Sequence, residues 1–238
     1  MLQPADFYHL LAKHNIRFFT GVPDSLLKDF CAYVTDNTAP QNHIIAANEG
    51  NAVAIAAGRY LALREISLVY LQNSGLGNIV NPVASLIDPL VYSIPVLFLV
   101  GWRGEPGIKD EPQHAKQGQI TLGQLELLGI KYKILPTSFA EAQTVLQEAV
   151  KYMQTQLAPF ALVVPKGTFA PYSLQNNPQA PYPLTREEAL QCLVSQLTAS
   201  DIVVATTGKT SRELYEYRRA LGQGHQNDFL TVGSMGHA

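Results

Sequence analysis

Glu49 is the side chain of this 238-residue sequence whose setting most invites chemistry. It stands in Asn48-Glu49-Gly50-Asn51, between an apolar run from His43 to Ala47 and a small-residue helical pattern from Ala52 to Leu63. A short apolar run passing at once into helical periodicity predicts a buried strand, a turn and the helix of an α/β unit. A carboxylate in that turn sits at the carboxyl edge of the sheet, where α/β folds collect ligands, and a helix start stabilises its charge. It can then exchange a proton with a bound group. It can equally do no more than complement the helix dipole, as acids at helix starts often do.

Other polar side chains fall at similar places. Asp24 and Ser25 close Gly21-Val22-Pro23-Asp24-Ser25 after a predicted strand, Ile16 to Thr20. Either they cap the next helix, marked by Leu26, Leu27, Phe30 and Val34, or they present an acid and a hydroxyl to a ligand. Ser74 and Gly75 lie in the polar turn Gln72 to Asn78, after a strand from Ile66 to Leu71. The glycines of that turn do not complete GxGxxG, which argues against a nicotinamide cofactor. Gly101 to Gly118 (GWRGEPGIKDEPQHAKQG) is polar and rich in Gly and Pro, and it predicts a loop far longer than an ordinary connection. It carries Arg103, Lys109 and His114. An arginine fork matches a carboxylate or a phosphonate, Lys109 adds a point charge, and a histidine shuttles protons near neutral pH. Solvated loop charges are the plainer account of the same residues.

The elements that must position these groups alternate strand and helix. Pro95 to Val100 is the most hydrophobic strand and is expected to be central, after a helix from Ile79 to Leu90. A short helix near Leu122 to Leu128, a strand at Lys131 to Leu135, a helix from Phe139 to Leu157 and a strand at Phe160 to Val164 follow. The fold class is α/β, a six-stranded, largely parallel sheet with helices on both faces, over residues 1–165. Residues 166–184, with four prolines between Lys166 and Pro183, read as a linker. A second α/β unit, 185–238, opens on a capping-box pattern, Thr185 with Glu188. Its strands at Ile202 to Ala205 and near Phe229 to Val232 are too few to close a core, so a continuation or a partner is expected.

Composition narrows the role. The net charge is −2 without a Lys/Arg block, which argues against nucleic-acid and membrane-surface partners and leaves a small-molecule role. Cys31 and Cys192 lie far apart, without metal-ligand spacing. With no leader-like N-terminus and no apolar stretch of membrane-spanning length, a cytoplasmic protein is expected.

Taken together, GVPDS at 21–25, NEGN at 48–51 and NSGLGN at 73–78 resemble the pyrimidine-binding domain of thiamine-diphosphate enzymes, and GSMG at 233–236 is similar to a segment of their pyrophosphate-binding domain. GWRGEPGIKDEPQH and TTGKTSREL extend the likeness to the phosphonopyruvate decarboxylase family, with the sulfopyruvate decarboxylases as near relatives. The resemblance implies thiamine-diphosphate-dependent decarboxylation of a 2-oxo acid, 3-phosphonopyruvate or sulfopyruvate. It implies that Glu49 holds a pyrimidine ring nitrogen, that Ser74, Gly75, Gly233 and Met235 line the cofactor with Met235 as the wedge between its rings, and that Asp24 assists proton transfer, to which His114 adds a proton shuttle or only a cap on its loop. Asp24, Ser25, Arg103 and Lys109 would meet the substrate. The magnesium that anchors the diphosphate uses a Gly-Asp-Gly segment and a later Asn, neither of which follows GSMG here, so no metal ligand is assigned and the chain alone is expected to be nearly inactive. A homo-oligomer with the site between subunits is implied as well. A non-catalytic half that docks on a complementary subunit is the reading from another class.

Overall fold

Short β-rich apolar runs that alternate with amphipathic helices assemble here as one parallel sheet in the order β2-β1-β3-β4-β6-β5. The strands are β1 (Phe19–Gly21), β2 (His43–Ile45), β3 (Ser67–Gln72), β4 (Val96–Gly101), β5 (Lys131–Ile134) and β6 (Phe160–Val164). The structure is a computed structural model that describes residues 1–176, 182–206 and 208–230. It divides into two compact units, Met1–Asn176 and Asn177–Ala238.

In the first unit each face of the sheet is covered. Helices α1 (Pro4–Lys13), α2 (Lys28–Asn37) and α6 (Phe139–Gln156) bury Leu10, Phe30 and Leu146 with Leu97 and Leu99 of β4. Helices α3 (Glu49–Leu63), α4 (Leu76–Pro82) and α5 (Pro112–Leu127) bury Ala52, Ile79 and Leu125 with Val96, Phe98 and Val100. β4 therefore sends alternate residues into two cores, as an interior parallel strand must. Truncating the fully buried Phe98 to Ala would cost about 3–5 kcal/mol.

Four local expectations are corrected. The run His43 to Ala47 forms an edge strand rather than a buried one: β2 pairs only with β1, and Ile45 is 61% exposed. Neither Asp24 nor Ser25 is the N-cap of α2. That position belongs to Leu27, because Asp24 Oδ2 is already taken by the Leu26 N–H at 3.0 Å in a tight turn just upstream. The segment 101–118 is not all loop, since α5 begins at Pro112, whose missing N–H is no loss in a first turn. The helix expected from Ile79 to Leu90 instead starts at Leu76. It widens into a π-type turn after Pro82 and ends by Asp88, held extended by Pro89.

Residues 166–176 are tied down on the first unit. Leu2 bridges Phe169, and the Tyr172, Gln175 and Asn176 N–H groups donate to Asp29 or Asp36. The second unit holds α7 (Arg186–Val194), β7 (Val203–Ala205), α8 (Lys209–Ala220) and β8 (Asp228–Leu230), with β7 and β8 parallel. Thr185 and Glu188 form the reciprocal capping box, and Val194, Ala205 and Leu214 make a small core.

Candidate functional site

Because β1 to β4 are parallel, the turns after them open on the same edge of the sheet, and they carry Asp24, Glu49, Ser74 and Arg103. Glu49 is placed by its neighbour: Asn48 Oδ1 accepts the Asn51 N–H at 2.9 Å, which starts α3 at Glu49 itself. The side chain is 7% exposed. Its Oε2 accepts from Asn78 Nδ2 at 2.7 Å, and among the described residues Oε1 accepts no hydrogen bond. Two glycines make this fit possible. A methyl at Gly50 would stand 2.9 Å from the Asn78 carbonyl, so α3 and α4 approach closely. A methyl at Gly75 would fall on the Glu49 carboxyl group, 2.6 Å from Cγ. Asn78 thus joins the site. It belongs to the NSGLGN turn, but nothing in its residue type singles it out from a helix-surface asparagine.

A second cluster gathers around Arg103. Its Nε donates to Asp110 Oδ2 at 2.8 Å and its Nη2 to Asp110 Oδ1 at 2.5 Å, a side-on pair with each partner's side chain 18% exposed. Arg103 Nη1 donates to Ser25 Oγ at 2.8 Å, joining the turns after β1 and β4. Asp110 also accepts the Gly104 and Glu111 N–H groups, each at 2.8 Å. With so many donors around it, its carboxyl group is held far below the usual carboxylate range, chiefly by Arg103. Asp110 was not among the residues expected from sequence.

Asp24 lies beside this pair, 5% exposed, with Cγ 3.0 Å from where a methyl on Gly101 would sit. Its Oδ1 has no hydrogen-bond partner among the described residues. Burial raises its carboxyl group above the ordinary value, while the Leu26 N–H and the Arg103 charge act against that. His114 lies in the first turn of α5, where burial and then Arg103 lower its proton affinity. Lys109 is exposed and makes no ion pair among the described residues.

The two clusters are linked by Asn73, which is fully buried. Its Nδ2 donates to the Arg103 carbonyl at 2.7 Å and to Thr121 Oγ1 at 2.9 Å, and its Oδ1 accepts the Arg103 N–H. The turn holding exposed Ser74 and buried Gly75 is therefore fixed to the segment holding Arg103. Trp102 Nε1 donates to the Gly118 carbonyl at 2.8 Å and closes the same segment onto α5. Gly233 and Met235 lie outside the described residues.

A hollow of about 410 Å³ lies at the amino edge of the sheet, lined by His14, Arg17, Arg64 and Pro95, and no candidate residue borders it. Among the described residues no group of His, Cys, Asp and Glu is arranged to hold a metal ion, and no helix is long and apolar enough to cross a membrane.

Residues 5–127 match the family model described as the thiamine pyrophosphate enzyme, N-terminal TPP binding domain. The whole chain is 32% identical over 255 residues to a phosphonopyruvate decarboxylase of Streptomyces viridochromogenes, and it spans 62% of that protein's length. Over 66% of this chain it is 32% identical to the sulfopyruvate decarboxylase subunit alpha of Methanococcus maripaludis, covering 90% of that subunit. The benzoylformate decarboxylase of Polynucleobacter necessarius shares the fold, with a TM-score of 0.55 at 18% identity over 86% of this chain and 38% of that one.

Proposed function

Since the chain belongs to the thiamine pyrophosphate enzymes through their N-terminal binding domain, we propose that it is the cofactor-activating part of a decarboxylase acting on 3-phosphonopyruvate. The observation that carries this reading is Glu49, a carboxylate almost out of water with one oxygen held by Asn78 and the other unbonded among the described residues. Such an oxygen fits a protonated ring nitrogen, and the bare Cα of Gly75 leaves the carboxylate the space to meet it. When bound, thiamine diphosphate supplies a carbon nucleophile for the 2-oxo carbon and a sink for the electrons left behind by carbon dioxide. Glu49 holds the proton at the pyrimidine nitrogen, and Asn78 keeps the carboxylate oriented. Ser74 and Gly75 would line the same site. Asp24, with one oxygen unbonded among the described residues and its proton affinity raised by burial, would be the donor toward the carbon that loses carbon dioxide, and His114, whose proton affinity burial lowers, would relay protons.

Arg103 retains two N–H donors after Asp110 and Ser25 take three of the five a guanidinium carries. Those two, with Ser25, suit the oxygens of a phosphonate. Lys109, exposed nearby in sequence, adds long-range attraction for a dianion. No described residues fit magnesium, and no step is assigned to it.

Such chemistry needs water shut out, and Ile44 and Ile45 of the edge strand β2 are exposed apolar side chains, so the reading includes an oligomer that covers this edge of the sheet. The sulfopyruvate decarboxylase subunits favour a second substrate, with a sulfonate in place of the phosphonate. Parallel carbon dioxide release assays of the enzyme with both substrates separate the two. Replacing Glu49 by Gln should lower turnover about 10²- to 10⁴-fold; undiminished turnover in that variant removes the assigned role.

A further inference from the structure

Arg103 reaches Ser25, the residue next to Asp24, yet it spends its side-on pair on Asp110 and makes no hydrogen bond to Asp24. Asp24 is left nearly buried, one oxygen held by the Leu26 N–H and the other without a hydrogen-bond partner among the described residues. A buried carboxylate one residue from an arginine's contact ordinarily captures that cation, because an opposite charge relieves the cost of burial. Here a competitor prevents it. Asp110 offers both oxygens to Arg103 and is itself fixed by the Gly104 and Glu111 N–H groups, so the pair cannot easily swing away.

We propose that Asp110 is a positioning residue that holds the Arg103 guanidinium off Asp24, and so leaves the Asp24 carboxyl without an ion-pair partner at the edge of the site. The role of that acid in turnover rests on the function proposed above; the arrangement of the three groups does not. The groups that act on Asp24 are the Arg103 charge from beyond β4 and the Leu26, Ser25 and Leu27 N–H groups of its own turn. From α2 it meets Cys31, whose thiol is held neutral by burial and by Asp24 itself. With the Asp110 charge removed, Arg103 loses its partner, and of the two other carboxyl groups whose charge acts on it, Asp24 and Glu111, Asp24 acts more strongly and takes it up. Asp24 then becomes a permanently ionised half of an ion pair.

The experiment is a carbon-13 NMR titration of the Asp24 side-chain carboxyl in the full chain, for the wild type and for D110N, R103M and the double variant, with Trp102 fluorescence confirming that each is folded. D110N should lower the Asp24 midpoint by about one pH unit or more, the effect of an opposite charge brought close. R103M should raise it. In the R103M background, D110N should produce less than half the fall. The proposal is overturned by an Asp24 midpoint that stays or rises in D110N, or by an equal fall when Arg103 is absent. If D110N does not fold, R103M decides by itself, because a midpoint that fails to rise shows that Arg103 does not act on Asp24. None of these readings uses turnover or cofactor. The reading of Asp24 as the site's acid fails separately, through full activity of D24N in the complete enzyme.

Discussion

Replacing Gly75 by Ala tests the geometry of the candidate site at its tightest point. The backbone there, φ −76° and ψ −7°, is open to any residue, so on chain entropy alone the change would stabilise the fold by about 0.4–1 kcal/mol. The added methyl, however, would lie 2.6 Å from Glu49 Cγ and 2.5 Å from its Cδ, whereas ordinary contact begins near 3.4 Å. The side chain must retreat by about 0.8 Å at Cγ, which pulls Oε2 from Asn78. A charge-assisted hydrogen bond of that kind contributes about 1.5–3 kcal/mol, so the net expectation is a loss of roughly 1–2 kcal/mol. Urea titration followed by tryptophan fluorescence reads this directly. Trp102 is the single tryptophan and is buried in the first unit. With a urea dependence of about 2 kcal/mol per molar, the midpoint should fall by roughly 0.5–1 M. The decisive comparison is the same substitution in an E49A background, where the methyl meets space and the entropic gain remains. There the midpoint should rise slightly. A loss of equal size in both backgrounds would refute the claim that Glu49 occupies the place of a Gly75 side chain.

Further outcomes follow from neighbouring contacts. N78A should destabilise the first unit by about 1.5–3 kcal/mol and N78D more, since it sets a second carboxylate against Glu49; Trp102 fluorescence again measures both. Asp24 has its folded-state proton affinity raised, so the native chain binds the proton more tightly than the unfolded one, and Asp24 costs stability as pH rises from about 4 through its folded midpoint. D24N should therefore gain on the wild type across that window and hold a constant difference above it, as urea midpoints at several pH values will record. Asp110 runs the other way: its depressed value contributes stability that is present above about pH 4 and lost as pH falls toward its folded midpoint, so D110N should cost stability at pH 7 and little in strong acid. A thiol reagent should label exposed Cys192 quickly and half-buried Cys31 far more slowly, because burial holds the Cys31 thiol protonated.

The doubly covered parallel sheet was legible because β3, β4 and β6 carry continuous apolar runs of four or five residues, which an interior strand buries on both faces. β2 misled for a related reason. His43 to Ile45 has the same apolar character, and hydropathy does not distinguish burial by the chain itself from a surface left for something else to cover. The start of α5 was hidden because its first two turns, Pro112 to Gly118, are polar and carry a glycine. That glycine is required by a contact distant in sequence, since a methyl at Gly118 would run into the Gly104 backbone. Helical periodicity vanishes where a helix packs on a loop through its backbone.

The candidate site divides along the same line. Glu49, Asp24, Ser74 and Arg103 could be picked out because each follows a recognisable strand, and the carboxyl edge of a parallel sheet brings such turns together whatever their spacing. What each side chain does there depends on partners that no period encodes. Arg103 and Asp110 are seven residues apart in a segment without regular structure, and Asn73 meets Arg103 across thirty. A sequence shows Arg103 as a free cation, and the structure shows three of its five N–H donors committed, two side-on to Asp110 and one to Ser25. The difference bears on mechanism. A free arginine at this edge would pair with Asp24 and attract any anion, whereas a held one leaves Asp24 Oδ1 unbonded among the described residues and offers only two directed donors, a far narrower demand on the shape of what binds.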